Sequence, residues 1–287
     1  MQQPPVVRTI ASATVIRISK SLAMTSRILP LSDGRQVHYL EQGRGEPLVL
    51  VHGVGMQAAA WGPQIDRFAG TFRVVAVDMP GHGQSSLLPG EPALTDYVSW
   101  MSAFISALNL GPVNLAGHSM GALIAAGVAI ERPDLVKRLA VINGVHLRTE
   151  AARAAVIARS NELVSGRLDV DTPLQRWFCE ESTDASLVED VRSWLENVDM
   201  QGYAAAYRAF ARGDASYASR WNEVTCPALA LTGADDGNST PAMAETMARL
   251  ARNAKAVVIP DERHMVNLTA PAKVNAAMAE WLETTTR

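Results

Sequence analysis

Three residue types that together perform nucleophilic catalysis occur in a set order along this chain. Ser119 stands at the centre of the segment Gly117-His118-Ser119-Met120-Gly121. Two aspartates, Asp235 and Asp236, follow it, and His264 follows them. A serine hydroxyl becomes a strong nucleophile when a histidine accepts its proton and a carboxylate orients that histidine. The pattern therefore predicts an acyl-transfer site built on Ser119, His264 and one of the two aspartates.

The segments on either side of Ser119 predict how it is presented. The apolar run Val113–Ala116 precedes it, and a run rich in small residues over 120–131 predicts a helix after it. A sharp turn from strand to helix exposes the central serine hydroxyl above a sheet. Gly117 and Gly121 are expected to be required there, because side chains at these positions would collide with the neighbouring strand and helix.

Short apolar runs alternate with helical patterns along most of the chain. The apolar runs occupy residues 47–51, 72–77, 113–116, 139–142, 228–231 and 256–259, and the helical patterns occupy 96–108, 120–131, 241–251 and 271–282. Two further runs, 26–31 and 35–41, flank a Ser-Asp-Gly turn and predict a hairpin. This alternation predicts an α/β fold, doubly wound around a mostly parallel sheet. Since the carboxyl ends of parallel strands meet at one edge, the candidate catalytic residues are expected there.

A second glycine-rich segment, His52-Gly53-Val54-Gly55, directly follows the run at 47–51. A loop of this kind lets a backbone N–H approach the nucleophile and bind the negative oxygen of a reaction intermediate. The predicted pair of oxyanion donors is the amides of Val54 and Met120. His52 itself is interpreted as a hydrogen-bonded structural residue.

The regular alternation stops between about His146 and Trp221. This helix-rich stretch carries eight of the sixteen aromatic residues of the chain. An inserted helical cap over the sheet explains both observations. The expected organisation is a disordered extension over residues 1–23, a core over 24–146 and 222–287, and a helical cap over 147–221.

Substrate contacts are expected from the cap and from one loop of the core. The cap arginines Arg148, Arg153, Arg159 and Arg176 either bind a carboxylate of the substrate or are solvated surface charges. Trp61 and Trp177 either line the pocket for the acyl group or pack in the core. Of these, Trp61, Trp177 and Arg176 are the predicted substrate-binding residues.

Composition narrows the partners and the location. The chain has 287 residues and a formal net charge of −3, which argues against a nucleic-acid partner. Two cysteines are too few for a disulfide framework and lack metal-ligand spacing, so a reducing, cytoplasmic location is expected. No run approaches the ~18 apolar residues of a membrane span, so no membrane partner is expected.

The first 32 residues contain no aspartate or glutamate. An acid-poor, basic start is typical of an organelle transit peptide. The alternative is an extension upstream of a folded protein that opens at Met24. The second interpretation is favoured, because the regular pattern begins abruptly at Ile28-Leu29-Pro30.

Together these motifs resemble the α/β-hydrolase superfamily over roughly residues 26–285. The matching segments are His52-Gly53, Asp78-Met79-Pro80-Gly81-His82-Gly83-Gln84-Ser85, Gly117–Gly121, Gly233-Ala234-Asp235-Asp236 and His264. In that family the acid stands three residues after the glycine, which selects Asp236. The family uses the loop headed by Asp78 mainly for structure. Within the superfamily the chain is most similar to the 3-oxoadipate enol-lactonases and small carboxylesterases.

The resemblance implies hydrolysis of a small carboxylic ester or lactone through an acyl-enzyme on Ser119, with no metal and no organic cofactor. A serine at this position excludes the dehalogenases and epoxide hydrolases of the fold, which use an aspartate there. One alternative is hydrolysis of a carbon–carbon bond in a ring-cleavage product. Relatives with that activity usually carry a tryptophan soon after the catalytic histidine, where this chain has Met265-Val266-Asn267. A non-catalytic ligand receptor on the same fold is the other alternative.

Overall fold

One sheet forms the centre of the computed structural model, which describes residues 23–164, 169–179 and 183–286. Eight strands among these residues follow the order β1-β2-β4-β3-β5-β6-β7-β8. Their bounds are β1 Thr25–Pro30, β2 Gln36–Gln42, β3 Glu46–Val51, β4 Phe72–Val77, β5 Val113–His118, β6 Val136–Ile142, β7 Ala228–Gly233 and β8 Ala254–Ile259. β2 is antiparallel to β1 and to β4, and all other neighbours are parallel. The predicted α/β fold is confirmed.

Ten helices connect and cover these strands in the described part of the chain. They are α1 Gly62–Phe68, α2 Leu94–Leu108, α3 Met120–Glu131, α4 Glu150–Val164, α5 Asp171–Trp177, α6 Ala185–Glu196, α7 Met200–Gly213, α8 Pro241–Leu250, α9 Val266–Thr269 and α10 Pro271–Glu283. Helices α2, α3 and α8 lie on one face of the sheet, and α1 and α10 lie on the other. None of the helices in the described residues is long and apolar enough to cross a membrane.

The strands in the middle of the sheet are buried on both faces, and this explains their uninterrupted apolar runs. Side chains alternate between the faces along each strand. On β3, Val49 and Val51 pack in the apolar cluster that contains residues of α2 and α3. Leu48 and Leu50 pack in the opposite cluster, with residues of α1 and α10. Two cores therefore hold the carboxyl ends of the strands in register.

Trp61 belongs to the second of these cores and not to a substrate pocket. Its side chain is fully buried, beside Ile65 and Phe68 of α1. The prediction that Trp61 contacts substrate is therefore wrong. Trp61 follows the glycine-rich loop in sequence, but it ends the short 3-10 turn Ala58–Trp61 and packs in the core on the α1 and α10 side of the sheet.

Helices α4 to α7 lie between β6 and β7, in the region where the cap is expected. The division of the chain into core and cap stays a prediction. Of the expected N-terminal extension, only Ala23 is described, and residues 165–168 and 180–182 of the expected cap also lie outside the described residues.

Helix α7 approaches the core at a contact between two glycines. Gly202 lies in the first turn of α7, and Gly81 lies in the loop after β4 with a φ of +71°. A Cβ placed on Gly81 would lie 2.5 Å from the Cα of Gly202, and one on Gly202 would collide with the carbonyl oxygen of Gly81. The two backbones are thus in direct contact, and only glycine fits at either position.

A buried ion-pair cluster joins the ends of the inserted helices. Asp214 follows α7 and is completely buried. Its carboxylate accepts hydrogen bonds from the amide of Arg148, at 2.8 Å, and from the Arg153 guanidinium, at 2.9 Å. The Arg148 guanidinium lies 3.4 Å from the same carboxylate and 4.3 Å from the centre of the Phe210 ring. Burial alone would raise the pKa of Asp214, but these hydrogen bonds and charges outweigh it and lower that pKa.

Replacing Asp214 with Ala is expected to destabilise the fold by about 3–5 kcal/mol, because it leaves the Arg148 charge buried without its partner. Urea denaturation followed by circular dichroism measures this loss. Asp134→Ala serves as the control, since Asp134 forms an ion pair with Arg132 at the exposed surface. That variant is expected to keep nearly the midpoint of the unsubstituted protein. Equal midpoints for the two variants would contradict the prediction.

Candidate active site

The turn between β5 and α3 holds Ser119 in a strained backbone conformation. Its φ is +55° and its ψ is −116°, a combination that non-glycine residues rarely adopt. A Cβ on Gly117 would collide with the backbone of Gly121, and a Cβ on Gly121 would collide with the carbonyl oxygen of Val51. The expected requirement for both glycines is confirmed. This sharp turn places Ser119 directly beyond the carboxyl end of β5.

The structure brings Ser119, His264 and Asp236 together. The Ser119 Oγ lies 3.0 Å from Nε2 of His264, and Nδ1 of His264 lies 2.8 Å from Oδ2 of Asp236. All three side chains are buried. Asp235, the other candidate acid, is exposed at the rim of the neighbouring cavity. The arrangement allows His264 to accept the Ser119 proton while Asp236 stabilises the resulting positive charge.

Four donors hold the Asp236 carboxylate in place. Besides His264, they are the amides of Asn238 and Ser239, at 2.8 and 3.0 Å, and the Asn143 side chain, at 2.8 Å. Burial alone would raise the pKa of Asp236, but its electrostatic interaction with His264 and these hydrogen bonds outweigh it. The net effect lowers that pKa, so Asp236 is ionised at neutral pH.

Asn143 is a site residue that the sequence reasoning missed. It directly follows β6, is fully buried and has a φ of +49°. Its side chain donates to Asp236, and its carbonyl oxygen accepts from the Ser239 hydroxyl at 2.6 Å. The signal available in the sequence was the Asn143-Gly144 pair, which ends an apolar run at the same sheet edge as the other site residues.

The predicted oxyanion donors lie on either side of Ser119. Met120 is the first residue of α3, whose N-terminus directs free N–H groups and a positive dipole toward the site. Val54 lies in the loop after β3 and lines the cavity that contains Ser119 and His264. Their role as oxyanion donors stays a prediction.

Two buried histidines fix the loop that carries Val54. His52 accepts a hydrogen bond from the Met79 amide at Nε2 and donates from Nδ1 to the carbonyl of Gly53. His82 accepts from the Gly55 amide at Nε2, at 3.0 Å. Burial lowers the pKa of both rings, that of His82 to about 3. Both are therefore neutral, and each ring makes one donor and one acceptor hydrogen bond, since Nδ1 of His82 donates to the carbonyl of Pro80.

A third buried histidine supports the catalytic one. The ring of His118 lies 5.0 Å from that of His264, and its Nε2 donates to the carbonyl oxygen of His264 at 2.8 Å. Burial, with a smaller effect of the His264 charge, lowers the pKa of His118 to about 3. A neutral His118 orients the backbone of His264 and adds no charge to the site.

The triad forms the floor of a cavity of about 480 Å³ under the inserted helices. Ser119, Asp236 and His264 line the cavity, together with side chains from α4, α5 and α7. Trp177 of α5 covers the triad, with its ring centre 5.9 Å from that of His264. No group of three or more His, Cys, Asp or Glu side chains in the described residues is placed to hold a metal ion.

Residues 48–277 match the model of the alpha/beta hydrolase family. The chain belongs to this family. It is 59% identical over 262 residues to the (E)-2-((N-methylformamido)methylene)succinate hydrolase of Acinetobacter baylyi, covering 91% of this chain and all of that protein. It is 27% identical to a 2-(acetamidomethylene)succinate hydrolase of Mesorhizobium japonicum, covering 85% and 90% of the two chains. A malate-bound esterase from Thermogutta terrifontis has a TM-score of 0.81 at 25% identity, covering 90% of this chain and 98% of its own.

These findings establish the chain as a hydrolase of this family, as expected, but they do not favour an ester or lactone as its substrate. The compounds in the names of these two relatives are methylenesuccinates that carry an acylated amino group. Neither compound contains an ester or a lactone. Of the expectations from sequence, the alternative of a carbon–carbon bond hydrolase that acts on a ring-cleavage product agrees with these findings better than an ester or lactone hydrolase does.

The structure divides the four cap arginines of this hydrolase into two pairs. Arg148 and Arg153 pair with Asp214 and are not among the residues that line the cavity. Arg159 and Arg176 line the cavity, as do Trp177 and, from the core, Arg263. Besides Asp236, the carboxylates of Glu162, Asp169 and Asp235 line the same cavity.

Arg159 and Arg176 lie close enough for the charge of one to affect the pKa of the other. Partial burial, followed by repulsion from Arg159, lowers the pKa of Arg176. Arg159 donates from Nη1 to the hydroxyl oxygen of Tyr207 at 3.2 Å, and this leaves the Tyr207 proton free to donate into the cavity. Two neighbouring guanidinium groups above a buried triad are able to bind an anionic group.

Proposed function

We propose that this hydrolase cleaves a small unsaturated dicarboxylate that carries an acylated amino group, of the kind named for its Acinetobacter baylyi relative. The observation that carries the proposal is the placement of Arg159 and Arg176 over the triad in one cavity. A succinate supplies two carboxylates, and arginine binds carboxylates through paired hydrogen bonds. The 59% identity, over the full length of the relative, supports the same substrate class.

In the first half of the reaction, Ser119 attacks the carbonyl carbon of the acylamino group. His264 accepts the Ser119 proton at Nε2, and the amides of Val54 and Met120 bind the oxygen that becomes negative. His264 then donates this proton to the amide nitrogen, and the carbon–nitrogen bond breaks. The leaving nitrogen is attached to a carbon–carbon double bond, so its electron pair delocalises and the bond breaks more readily than in an ordinary amide.

The second half releases the acyl group from Ser119. A water molecule loses its proton to His264 and attacks the acyl carbon, and the Ser119 oxygen leaves with the proton that His264 returns. Asp236 keeps Nε2 of His264 facing Ser119 throughout both steps, because it holds the opposite nitrogen of the ring.

Comparing the turnover of compounds from different substrate classes tests this proposal. We expect turnover of the N-methylformamido compound to exceed that of a neutral p-nitrophenyl ester or a lactone. Substrate labelled with ¹³C at its formyl carbon, with the products followed by NMR, identifies the broken bond. Release of labelled formate supports cleavage at nitrogen, whereas an intact formamide in the product indicates cleavage at a carbon–carbon bond. A preference for the ester or the lactone would refute the proposal.

Substitution of Arg159 or Arg176 tests how the carboxylates bind. We expect Arg159→Met and Arg176→Met each to raise KM for the dicarboxylate by about 10–100-fold, the effect of losing a charge-assisted hydrogen bond. The kcat/KM for a neutral ester is expected to change far less, because the triad is intact. Steady-state kinetics on both substrates measure the difference.

The matched control for these variants is Arg252→Met, an exposed arginine that does not line the cavity. It is expected to retain the kinetics of the unsubstituted protein on both substrates. Equal losses of kcat/KM on the dicarboxylate and on the neutral ester in Arg159→Met and Arg176→Met would show that these arginines do not bind the substrate carboxylates.

A further inference from the structure

Arg263, the residue directly before His264, reaches from the core to helix α5. Its Nη1 donates to the carbonyl oxygens of Gln175, at 2.9 Å, and Phe178, at 2.7 Å. Both carbonyls lie at the carboxyl end of α5, where backbone acceptors have no partner within the helix and the helix dipole is negative. A guanidinium at this position satisfies these acceptors and has a favourable charge.

Helix α5 determines where two cavity side chains lie. It carries Arg176, one of the three arginines that line the cavity, and Trp177, whose ring lies over that of His264. The helix is seven residues long, and its ion pair at the other end, from Asp171 to Arg192, is largely exposed. Exposed pairs of this kind contribute little. The hydrogen bonds from Arg263 are therefore the principal polar attachment of α5 to the core.

The backbone of Arg263 is tied to the triad. Its carbonyl oxygen lies 3.3 Å from Nδ2 of Asn143, and the same nitrogen donates to Oδ2 of Asp236 at 2.8 Å. The backbone of Arg263 thus belongs to the catalytic loop. Its side chain contacts α5, the helix that lies over this loop.

We propose that Arg263 is a positioning residue that holds α5 over the triad and thereby sets the affinity of the cavity for an acidic substrate. Arg263 itself lines the cavity, and its guanidinium donates to the end of α5. It acts through the placement of Arg176 and Trp177. The substrate class in this inference rests on the proposed function, whereas the placement of α5 does not.

Hydrogen exchange tests the placement without any substrate. In Arg263→Gln, amides in peptides covering residues 171–179 are expected to exchange about tenfold faster, because losing a charge-assisted pair of hydrogen bonds favours local opening. Peptides from β5 and β6 are expected to exchange at unchanged rates. Arg263→Lys keeps the charge but not the forked geometry, so an intermediate rate is expected.

Kinetics test the consequence for the substrate. Arg263→Gln is expected to raise KM for the N-methylformamido dicarboxylate about tenfold, with a change in kcat below about threefold, because the triad itself is retained. Arg263→Lys is expected to restore part of the affinity. The control is Arg249→Gln, an exposed arginine on α8 whose side chain donates a hydrogen bond to Thr246 of the same helix.

Each result decides the proposal. Faster exchange confined to α5, together with a selective rise in KM, supports it. Unchanged exchange over residues 171–179 overturns it, and so does faster exchange with an unchanged KM. If the unsubstituted protein does not act on the dicarboxylate, the proposed function fails, and the exchange rates still decide whether Arg263 places α5.

Discussion

Ser119→Ala is expected to lower kcat by about 10⁴–10⁶-fold, the cost of removing the nucleophile from a triad. The variant loses one hydroxyl group from the floor of the cavity and keeps the arginines above it, so the binding of substrate is expected to persist. Single-turnover kinetics measure the chemical step, and isothermal titration calorimetry measures the affinity. A fluorophosphonate probe is expected to label the unsubstituted protein and not the variant.

Ser106→Ala provides the comparison for this result. Ser106 lies on α2, where its hydroxyl donates to the carbonyl of Ser102, and it does not line the cavity. We expect its kinetics and probe labelling to match those of the unsubstituted protein. Labelling of Ser119→Ala at the full rate would show that another residue is the nucleophile and would refute the assignment of the site.

Asp236→Asn is expected to lower kcat by about 10⁴-fold while most of the fold is retained. A neutral amide at this position cannot stabilise a charged His264, and it favours the tautomer that turns a proton toward Ser119. The asparagine NH₂ group would also meet donors, since the carboxylate accepts from Asn143, Asn238 and Ser239. A loss of about 1–3 kcal/mol in the free energy of unfolding is therefore expected as well.

The neighbouring residue supplies the matched control for Asp236. Asp235→Asn removes the same charge from the exposed rim of the same cavity and leaves the His264 contact in place. It is expected to lower kcat far less, and a pH–rate profile of both variants separates loss of the triad from a general change of charge. Equal losses in the two variants would contradict the role assigned to Asp236.

The strands that position the site could be predicted because their physical signature is local. Every residue of β5 and of β7 is buried, so each strand is mostly apolar, with Asn114 the exception inside β5, and each ends in glycine and one polar residue. The direction of a parallel sheet then brings the ends of these runs to one edge. Ser119, Asp236 and His264 meet there although 117 and more residues separate the serine from the acid and the histidine.

Other assignments depended on contacts that the sequence does not contain. Arg148 and Arg153 have the same side chain as Arg159 and Arg176, and only the fold shows that Asp214 pairs with the first two. Trp61 follows the glycine-rich loop in sequence, but a short turn places it in the opposite core. Helix α1, with Gly62 and Pro63 at its start, is too short to show a clear helical period.

The contact between Gly81 and Gly202 has a consequence for changing the specificity of this protein. Because two backbones touch there, the start of α7 cannot be moved or enlarged without disturbing the loop that follows β4. Helix α5, by contrast, is attached to the core by side-chain hydrogen bonds from Arg263. A combinatorial library aimed at new substrates should therefore vary residues of α5. Residues 200–203 of α7 should be kept unchanged.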